Sequence, residues 1–518
     1  MPESGTGIVL VGMPGSGKTT VGRLVADGLE RPFIDTDALF AERLGIPAPA
    51  YLAEHGEPRF REVESELVAE ACNVPGAVIG VGGGAILDPL NRWALWHHGA
   101  VAWLDATPET LVARLEADPV DRPTFRPYSA ERLASVLEER APFYRAADVR
   151  LDAARDLSAI ARDILLASRE PRPGVRLLDA EVPRHHPIGP ETARVVLGTD
   201  LDLTSLLPRG VAVTDRRLRL HAPARAQLDL PGGERAKRIR TLERVLDWLA
   251  EQRVERDEAL VAVGGGTIGD LAGTAAALFN RGLPLVQVPT TWIGMADSAI
   301  GGKVAVDLAA AKNAVGAFWP PVAVIGDVAH LRTLPRTLRR EGMAESVKAA
   351  LIGDPALWRL LEERGAGALS TDEAARYAIL ERSARLKLGV CARDPFETGE
   401  RRTLNLGHTA GHGLEVASGY RLRHGAAVAL GLRVAAAIAT GRGADPELAP
   451  RLDALLHRLG FRLTHAFDPR VVREAMGTDK KRRAGRQRWI LPMEIGRVDE
   501  VDDVTEAELD RALAVIAA

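Results

Sequence analysis

The chain has 518 residues, with 67 Lys and Arg against 70 Asp and Glu, 46% hydrophobic residues and two cysteines; such a length exceeds one compact core, so two or more domains are expected. A net charge of −3 offers no global basic field for nucleic acid or an anionic membrane, and Cys72 and Cys391 lie too far apart for a CxxC disulfide or thiolate metal site. No apolar run approaches the roughly 18 residues of a membrane span, and Ile8 to Met13 is too short for a signal peptide, so a soluble cytoplasmic protein is expected.

In chain order, Ile8 to Met13, Ala77 to Val81 and Ala100 to Leu104 are short apolar runs that alternate with amphipathic helical stretches. This βαβα rhythm predicts an α/β domain with a parallel sheet. Gly12 to Thr19 reads GMPGSGKT, directly after the first run and before a helix from Lys18, which is the context a Walker A motif requires. Its glycines let backbone N–H groups turn onto phosphate oxygens at the positive end of a helix. Gly15, Ser16, Gly17, Lys18, Thr19 and Thr20 are therefore the expected ATP cradle, with Lys18 neutralising the β/γ-phosphates and Thr19 ligating Mg²⁺. The Pro-, Arg- and His-rich stretch from Ser168 to Pro190 lacks helical period. It places a first domain at 1–168, a linker at 169–178 and a second domain at 179–518.

Beyond the linker, Ala193 to Leu197, Gly210 to Thr214, Glu258 to Val263 and Leu285 to Pro289 read as strands. From about Thr337 the pattern becomes helical, which predicts an α/β part at 179–336 and a mainly helical part at 337–518. Ala259 to Asp270, ALVAVGGGTIGD, is a strand, glycine turn and helix junction suited to a pyrophosphate. His408 and His412, four apart, share one helix face, and His424 follows after a short loop. Two of these imidazoles with a carboxylate such as Glu345 make a three-ligand zinc site with an open position. Lysine is scarce: eight of the 67 basic residues, the other 59 being arginine. The surviving lysines mark places where a compact point charge is needed, and seven of them, Lys237, Lys303, Lys312, Lys348, Lys387, Lys480 and Lys481, fall in the second domain.

The first half carries further motifs: DTD at Asp35 to Asp37, GEPRFREVE at Gly56 to Glu64, GGG at Gly82 to Gly84, RP at Arg122 to Pro123 and ERAPFY at Glu139 to Tyr144. In this order and spacing they resemble shikimate kinase over the first 165 residues. The resemblance implies a P-loop kinase in which Asp37 acts as base or orienter for the acceptor hydroxyl and Asp35 holds a water of the Mg²⁺ shell. Arg61 and Arg140 grip the shikimate carboxylate, Gly83 adds a backbone contact, and Arg122 lies in a lid, Asp118 to Arg126, that closes over ATP. It leaves open an ATP contact from Arg155. Phosphoryl transfer needs positioning and charge neutralisation more than covalent help, which such a set supplies.

In the second half, RGLPLVQVPTT at Arg281 to Thr291, ADSAIGGK at Ala296 to Lys303, KNAVGAFWPP at Lys312 to Pro321, GMAESVK at Gly342 to Lys348, RDPFETGERRTLNLGHTAGH at Arg393 to His412 and RHGAAVALG at Arg423 to Gly431 resemble 3-dehydroquinate synthase. The resemblance runs from about residue 175 to the C-terminus. It implies an NAD⁺-dependent cyclase with Zn²⁺ or Co²⁺ on Glu345, His408 and His424, leaving His412 for acid/base work. NAD contacts fall to Glu234, Lys237, Gly265, Gly266, Asp270, Thr290, Thr291, Lys312 and Thr333. Lys303, Asn313 and Asn405 hold the phosphate of 3-deoxy-D-arabino-heptulosonate 7-phosphate. Lys387, Arg401 and Lys480 or Lys481 hold its carboxylate, and Asp297, Lys348 and Glu397 surround the reacting hydroxyls. Arg281 reaches a neighbouring subunit's site, implying a homodimer. After His424 the commoner HGE is here His424, Gly425, Ala426, from which altered orientation around the metal is expected rather than its loss.

Both halves thus point to one pathway: a bifunctional enzyme that phosphorylates shikimate and forms 3-dehydroquinate. Two alternatives stand beside it. The second half could cyclise another sugar phosphate or dehydrogenate a polyol, uses that leave a carboxylate pocket of Lys387, Arg401 and the two DKK lysines without purpose. The first half could be a nucleotide sensor, which has no need of Asp35, Asp37, Arg61 and Arg140.

Overall fold

The computed structural model describes residues 6–118, 125–170, 172, 174–186, 188–218, 220–308, 311–477, 482–483 and 486–518. Contacts divide the chain into two units, 1–181 with 195–202, and 182–194 with 203–518.

In the first unit, strands β1 (Gly7–Val11), β2 (Phe33–Asp35), β3 (Val78–Gly80), β4 (Gly99–Asp105) and β5 (Val149–Asp152) form one parallel sheet in the order β2-β3-β1-β4-β5. Every residue of β1 is buried, as expected of a central strand covered on both faces. The helices are α1 (Lys18–Leu29), α2 (Thr36–Leu44), α3 (Ala48–Cys72), α4 (Pro89–His98), α5 (Pro108–Ala117), α6 (Ala130–Tyr144) and α7 (Leu157–Ala167). Asp35, Asp88, Thr107, Ser129 and Asp156 cap α2, α4, α5, α6 and α7 by accepting from backbone N–H groups of the first turn. Helix α3 breaks at Gly56, where φ is 78°, and resumes with Pro58 at the start of its second segment. Phe40, Tyr51, Phe60 and Leu67 pack on either side of that break, with Phe40 edge-on to Tyr51 at 5.3 Å. Strand β6 (Val175–Pro183) begins inside the stretch expected as linker and is followed by β7 (Thr192–Thr199).

The second unit opens with α8 (Leu203–Leu206), β8 (Gly210–Asp215), β9 (Gln227–Leu230), α9 (Ile239–Glu251), β10 (Ala259–Gly264), α10 (Gly266–Leu278) and β11 (Leu285–Pro289). Strands β12 (Lys303–Val306) and β13 (Val315–Phe318) form an antiparallel hairpin, and β14 (Ala323–Asp327) closes the α/β part. The strands lying wholly within this unit's main sheet run β14-β11-β10-β8-β9, all parallel. Leu242, Val245, Leu249, Ile268, Leu271 and Ala275 bury one face of α9 and α10 against the sheet, at roughly 1.5–3 kcal/mol for each large side chain. The helical part holds α11 (Arg336–Gly353), α12 (Pro355–Ala368), α13 (Glu373–Arg393), α14 (His408–Ala417), α15 (His424–Gly441), α16 (Leu448–Arg458), α17 (Pro469–Gly477) and α18 (Glu506–Ala514). Two antiparallel pairs, β15 (Arg482–Arg483) with β16 (Arg486–Gln487) and β17 (Trp489–Glu494) with β18 (Arg497–Val501), interrupt it.

One expectation needs correction. Helix α15 is by length and composition apolar enough to cross a membrane, and 72% of that window is buried inside the unit. It packs against α11, α14, α16, α18 and β17. Its apolarity reflects burial on all sides, a condition that periodicity cannot tell from a span.

Candidate active sites

In the first unit, β1 leads into a turn in which Gly12, Gly15 and Gly17 have φ of 149°, 82° and 95°. A Cβ on Gly12 would stand 2.6 Å from the Leu104 carbonyl oxygen, so only glycine fits there. The turn ends on Lys18, whose Nζ donates to the carbonyls of Gly12 and Met13, both at 3.0 Å, with Ser16 buried beneath. Thr19 Oγ1 donates to Asp35 Oδ2 at 2.6 Å, while Asp35 Oδ1 accepts from the N–H groups of Asp37 and Ala38. One carboxylate therefore ties the Mg²⁺-ligand candidate Thr19 to the start of α2, and Thr20 is exposed beside it. Sequence reasoning missed Arg114, which donates to the carbonyls of Gly15 at 3.3 Å and Ala153 at 2.8 Å. Arg155 pairs instead with Asp163 at 2.8 Å. Arg122 lies outside the described residues.

Gly82 to Gly84 gather the acceptor set. A Cβ on Gly82 would lie 2.9 Å from Asp37 Oδ1, on Gly83 3.2 Å from Arg140 Nη1, and on Gly84 2.6 Å from Arg61 Nη1. The second segment of α3 presents Arg61 and Glu64 together, joined at 2.6 Å. Burial pushes the Glu64 carboxyl up, against the pull of Arg61. Tyr144 is fully buried and donates to the Gly83 carbonyl at 2.9 Å, and burial pushes its phenol up to about 12. Arg140 Nε and Nη1 are buried without a hydrogen-bond partner. Two orphaned guanidinium donors beside Arg61 and a side-chain-free backbone suit a planar carboxylate.

In the second unit, Gly264 to Gly266 form the turn from β10 into α10. Thr291 and Ser298 crowd it, 3.0 and 2.9 Å from where Cβ atoms of Gly265 and Gly266 would stand. Asp270, one turn into α10, pairs with Lys237 at 2.5 Å, and Lys237 also donates to Asn313. Burial pushes Asp270 up to about 6, with Lys237 opposing. Lys312 stands 3.6 Å from Glu234 and 4.4 Å over the Tyr420 ring. Thr290 is buried at the end of β11. Thr333 is exposed and donates to the His330 carbonyl. Arg281 is exposed, in a turn where Asn280 and Arg281 have φ of 49° and 62°.

Ligand atoms of Glu345 (α11), His408 (α14) and His424 (α15) all lie within 4.8 Å of one another. His424 Nε2 is 3.2 Å and His408 Nε2 3.7 Å from Glu345 Oε1. Two imidazoles and one carboxylate at this spacing fit a divalent ion with an open position. Burial, then Lys348, hold His408 well below the usual imidazole range, keeping it neutral as a ligand must be. His412 follows one turn on, its ring 5.3 Å from that of His408. Glu415 was not anticipated: its Oε1 meets His424 Nδ1 at 3.1 Å, the carboxylate–imidazole contact that fixes a ligand's tautomer. Glu341 takes the Ala426 N–H at 3.0 Å, so carboxylates surround this helix start although residue 426 has none.

A cavity of about 900 Å³ is lined among others by Asp270, Asp297, Lys303, Asn313, Lys387 and Asn405, and by Thr409, the residue after His408. Lys348 is buried, 2.5 Å from Glu345 Oε2 and 3.9 Å from Asp297 Oδ1, and Lys387 is 2.7 Å from Asp297 Oδ1. Glu397 bridges Lys303 at 2.5 Å and Asn405 at 2.9 Å; though burial pushes it up, Lys303 holds it below the usual range. Arg401 departs from expectation. It is buried and donates to the Pro395 and Gly301 carbonyls at 2.5 and 2.7 Å, and it does not line the cavity, whereas Arg402 and Arg488, sharing Glu500, do. Lys480 and Lys481 lie outside the described residues.

The family model for shikimate kinase matches residues 14–168, and those for the N- and C-terminal parts of 3-dehydroquinate synthase match 227–341 and 342–482. The 3-dehydroquinate synthase of Xanthomonas campestris pv. campestris (strain 8004) is 41% identical over 297 residues, 56% of this chain and 80% of that protein. That of Symbiobacterium thermophilum is 40% identical over 332 residues, 63% and 91%. The solved structure of 2-epi-5-epi-valiolone synthase from Streptomyces hygroscopicus subsp. jinggangensis 5008, with NAD⁺ and Zn²⁺ bound, is 29% identical with a TM-score of 0.59, covering 64% of this chain and 98% of that one. With a P-loop turn in one unit and three candidate metal ligands in the other, the chain belongs to the shikimate kinase family through its first unit and to the 3-dehydroquinate synthase family through its second.

Proposed function

We propose that the first unit phosphorylates shikimate to shikimate 3-phosphate with ATP, and that the second converts 3-deoxy-D-arabino-heptulosonate 7-phosphate to 3-dehydroquinate and phosphate. The observation that carries the reading is the continuous contact from Glu345 through Lys348 and Asp297 to a cavity that Asp270 also lines. It supports a single substrate that meets the metal, the cofactor and the anion-binding lysines together.

In the kinase, bound Mg²⁺ supplies charge neutralisation for the phosphates. Lys18 and the turn's N–H groups orient the nucleotide, Thr19 and Asp35 hold the metal's side of the cradle, and Arg61 and Arg140 fix the shikimate carboxylate. Asp37 accepts the proton of the attacking hydroxyl. Arg122 closes over ATP.

In the synthase, NAD⁺ supplies a hydride acceptor that is regenerated, and Zn²⁺ or Co²⁺ on Glu345, His408 and His424 supplies a Lewis acid. Glu234, Lys237, Gly265, Gly266, Asp270, Thr290, Thr291, Lys312 and Thr333 hold the dinucleotide. Lys303, Asn313 and Asn405 hold the phosphate, and Lys387 and the Lys480–Lys481 pair the carboxylate. Lys348 stays protonated between Glu345 and Asp297 and steadies oxyanion character at the reacting carbon, while Glu397 orients the neighbouring hydroxyls. His412 moves the proton. The synthase half forms a homodimer through which Arg281 reaches the neighbouring site. The protein is cytoplasmic and uses neither nucleic acid nor membrane.

The test is phosphate release from the heptulosonate phosphate by full-length protein without ATP, with NAD⁺ and Zn²⁺, before and after chelation. Metal-dependent release with dehydroquinate as product is expected. No release from this substrate, but release from the corresponding sugar phosphate lacking a carboxylate, overturns the substrate assignment.

A further inference from the structure

The loop between α13 and α14 carries Glu397 and Asn405 to the cavity, yet Glu397 has a left-handed backbone, φ 59°, which costs a non-glycine residue roughly 1–2 kcal/mol. Something must hold it. Asp394, the residue that ends α13, is buried and turns both carboxylate oxygens into the loop. Oδ1 accepts from the Thr398 N–H at 2.9 Å and the Thr398 hydroxyl at 3.2 Å, and Oδ2 from the N–H groups of Gly399 at 2.7 Å and Arg401 at 3.0 Å. Three successive-turn N–H groups and one hydroxyl thus close around a single carboxylate immediately after Glu397. The Arg401 side chain adds a second tie, from the Pro395 carbonyl to that of Gly301, but Asp394 alone gathers the backbone N–H groups that follow Glu397.

We propose that Asp394 is a positioning residue of the synthase reaction, holding the 395–401 loop so that the Glu397 carboxylate stands between Lys303 and Asn405 at the cavity wall. It touches neither cofactor nor substrate and acts through Glu397. The inference rests on Glu397 belonging to the substrate site, as read above. The three donated N–H groups hold the Asp394 carboxyl down at about 2 against its burial, so the anchor keeps its charge across the working range and titrates in no step of turnover.

The test compares Asp394→Asn, Glu397→Gln and the double variant in the full-length chain, with the thermal midpoint of the synthase unit as the measure of intact fold. Asp394→Asn is expected to lower synthase kcat at least tenfold with KM changed less than threefold. NAD⁺ affinity by equilibrium binding should stay as in the parent, and the limbs of the pH–rate profile should keep their positions. In the Glu397→Gln background the same change should cost less than threefold, because its target is already gone. A full additional tenfold loss there, a parent-like kcat in Asp394→Asn, or a displaced pH limb overturns the positioning role. A parent-like Glu397→Gln overturns instead the placement of Glu397 in the site. Should Asp394→Asn fail to fold, Thr398→Val removes one of the four donors alone, and a smaller loss confined to kcat is then expected, an unchanged kcat counting against the proposal.

Discussion

The two orphaned donors of Arg140 mark where the kinase site is unfinished without its acceptor. Lysine at 140 keeps the charge but not the planar fork, so Arg140→Lys is expected to raise the KM for shikimate by about tenfold or more, roughly 1.4 kcal/mol or above, with kcat within a few-fold; steady-state kinetics with shikimate varied decides it. Glu258 gives a pH signature of a different kind. Hydrogen bonds from Arg225, 2.7 Å on each oxygen, hold its carboxyl down at about 2. A carboxyl with a depressed folded value stabilises above its unfolded value of about 4.5 and loses that contribution as pH falls toward 2. Glu258→Gln should therefore be destabilised by about 1–2 kcal/mol near pH 7, after allowance for the partly exposed arginine, and by only about a quarter of that near pH 2.5, as thermal midpoints at the two values will show. At this scale the residues that sequence could name were those whose chemistry is tied to fixed spacing: the P-loop, the acceptor motifs, and the pair His408 and His412. Glu415 and Arg401 were beyond it for a physical reason. The bond from Glu415 to His424 exists only once α14 and α15 pack, although an acid three residues after His412 on the same face was a usable signal. Arg401 turns to the Gly301 carbonyl because a residue 100 positions away lacks a side chain; a Cβ there would stand 2.8 Å from its Nη2.

Among elements, the break in α3 shows how one residue aims a site. Gly56 has φ 78°, and a Cβ there would meet only Pro58 Cδ at 3.9 Å, so its necessity is conformational rather than steric. Gly56→Ala should cost about 1 kcal/mol in the first unit through backbone strain alone. It should also raise the KM for shikimate, since the segment that follows carries Arg61; a thermal midpoint and a shikimate titration on the same variant separate the two effects. The strands β1, β4, β8, β10 and β11 were legible because buried parallel strands are short unbroken apolar runs. The edge strands β2, β5 and β9 have few residues and partly polar faces, and the β17–β18 pair sits inside a stretch whose composition is otherwise helical, so no run announced them. The order of strands in either sheet depends on which crossovers pack, which no local pattern encodes.

At the scale of the whole molecule, the candidate kinase residues among those described lie in the first unit and the candidate synthase residues in the second. Lys18→Met is accordingly expected to abolish shikimate phosphorylation, by at least a thousandfold, while heptulosonate-dependent phosphate release stays within about twofold of the parent; parallel assays on one preparation check it, and a joint loss would mean that the units do not work alone. The division into two halves was readable because each has its own glycine motif, whereas the boundary was not sharp: Val175 already lies in a strand where composition suggested only a linker. The apolarity of α15 has a consequence of another order, for how the chain is made. This helix leaves the ribosome after the kinase unit has been completed but before α16, β17 and α18, which cover it, have followed it out. Until α18, about 75 residues further along the chain, has followed it, several seconds at roughly 5–20 residues per second, this long apolar helix stands uncovered. The nascent synthase half should be a client for chaperones that shield apolar helices, and ribosome-bound chains ending near residue 485 should be captured by them far more than chains ending near 440.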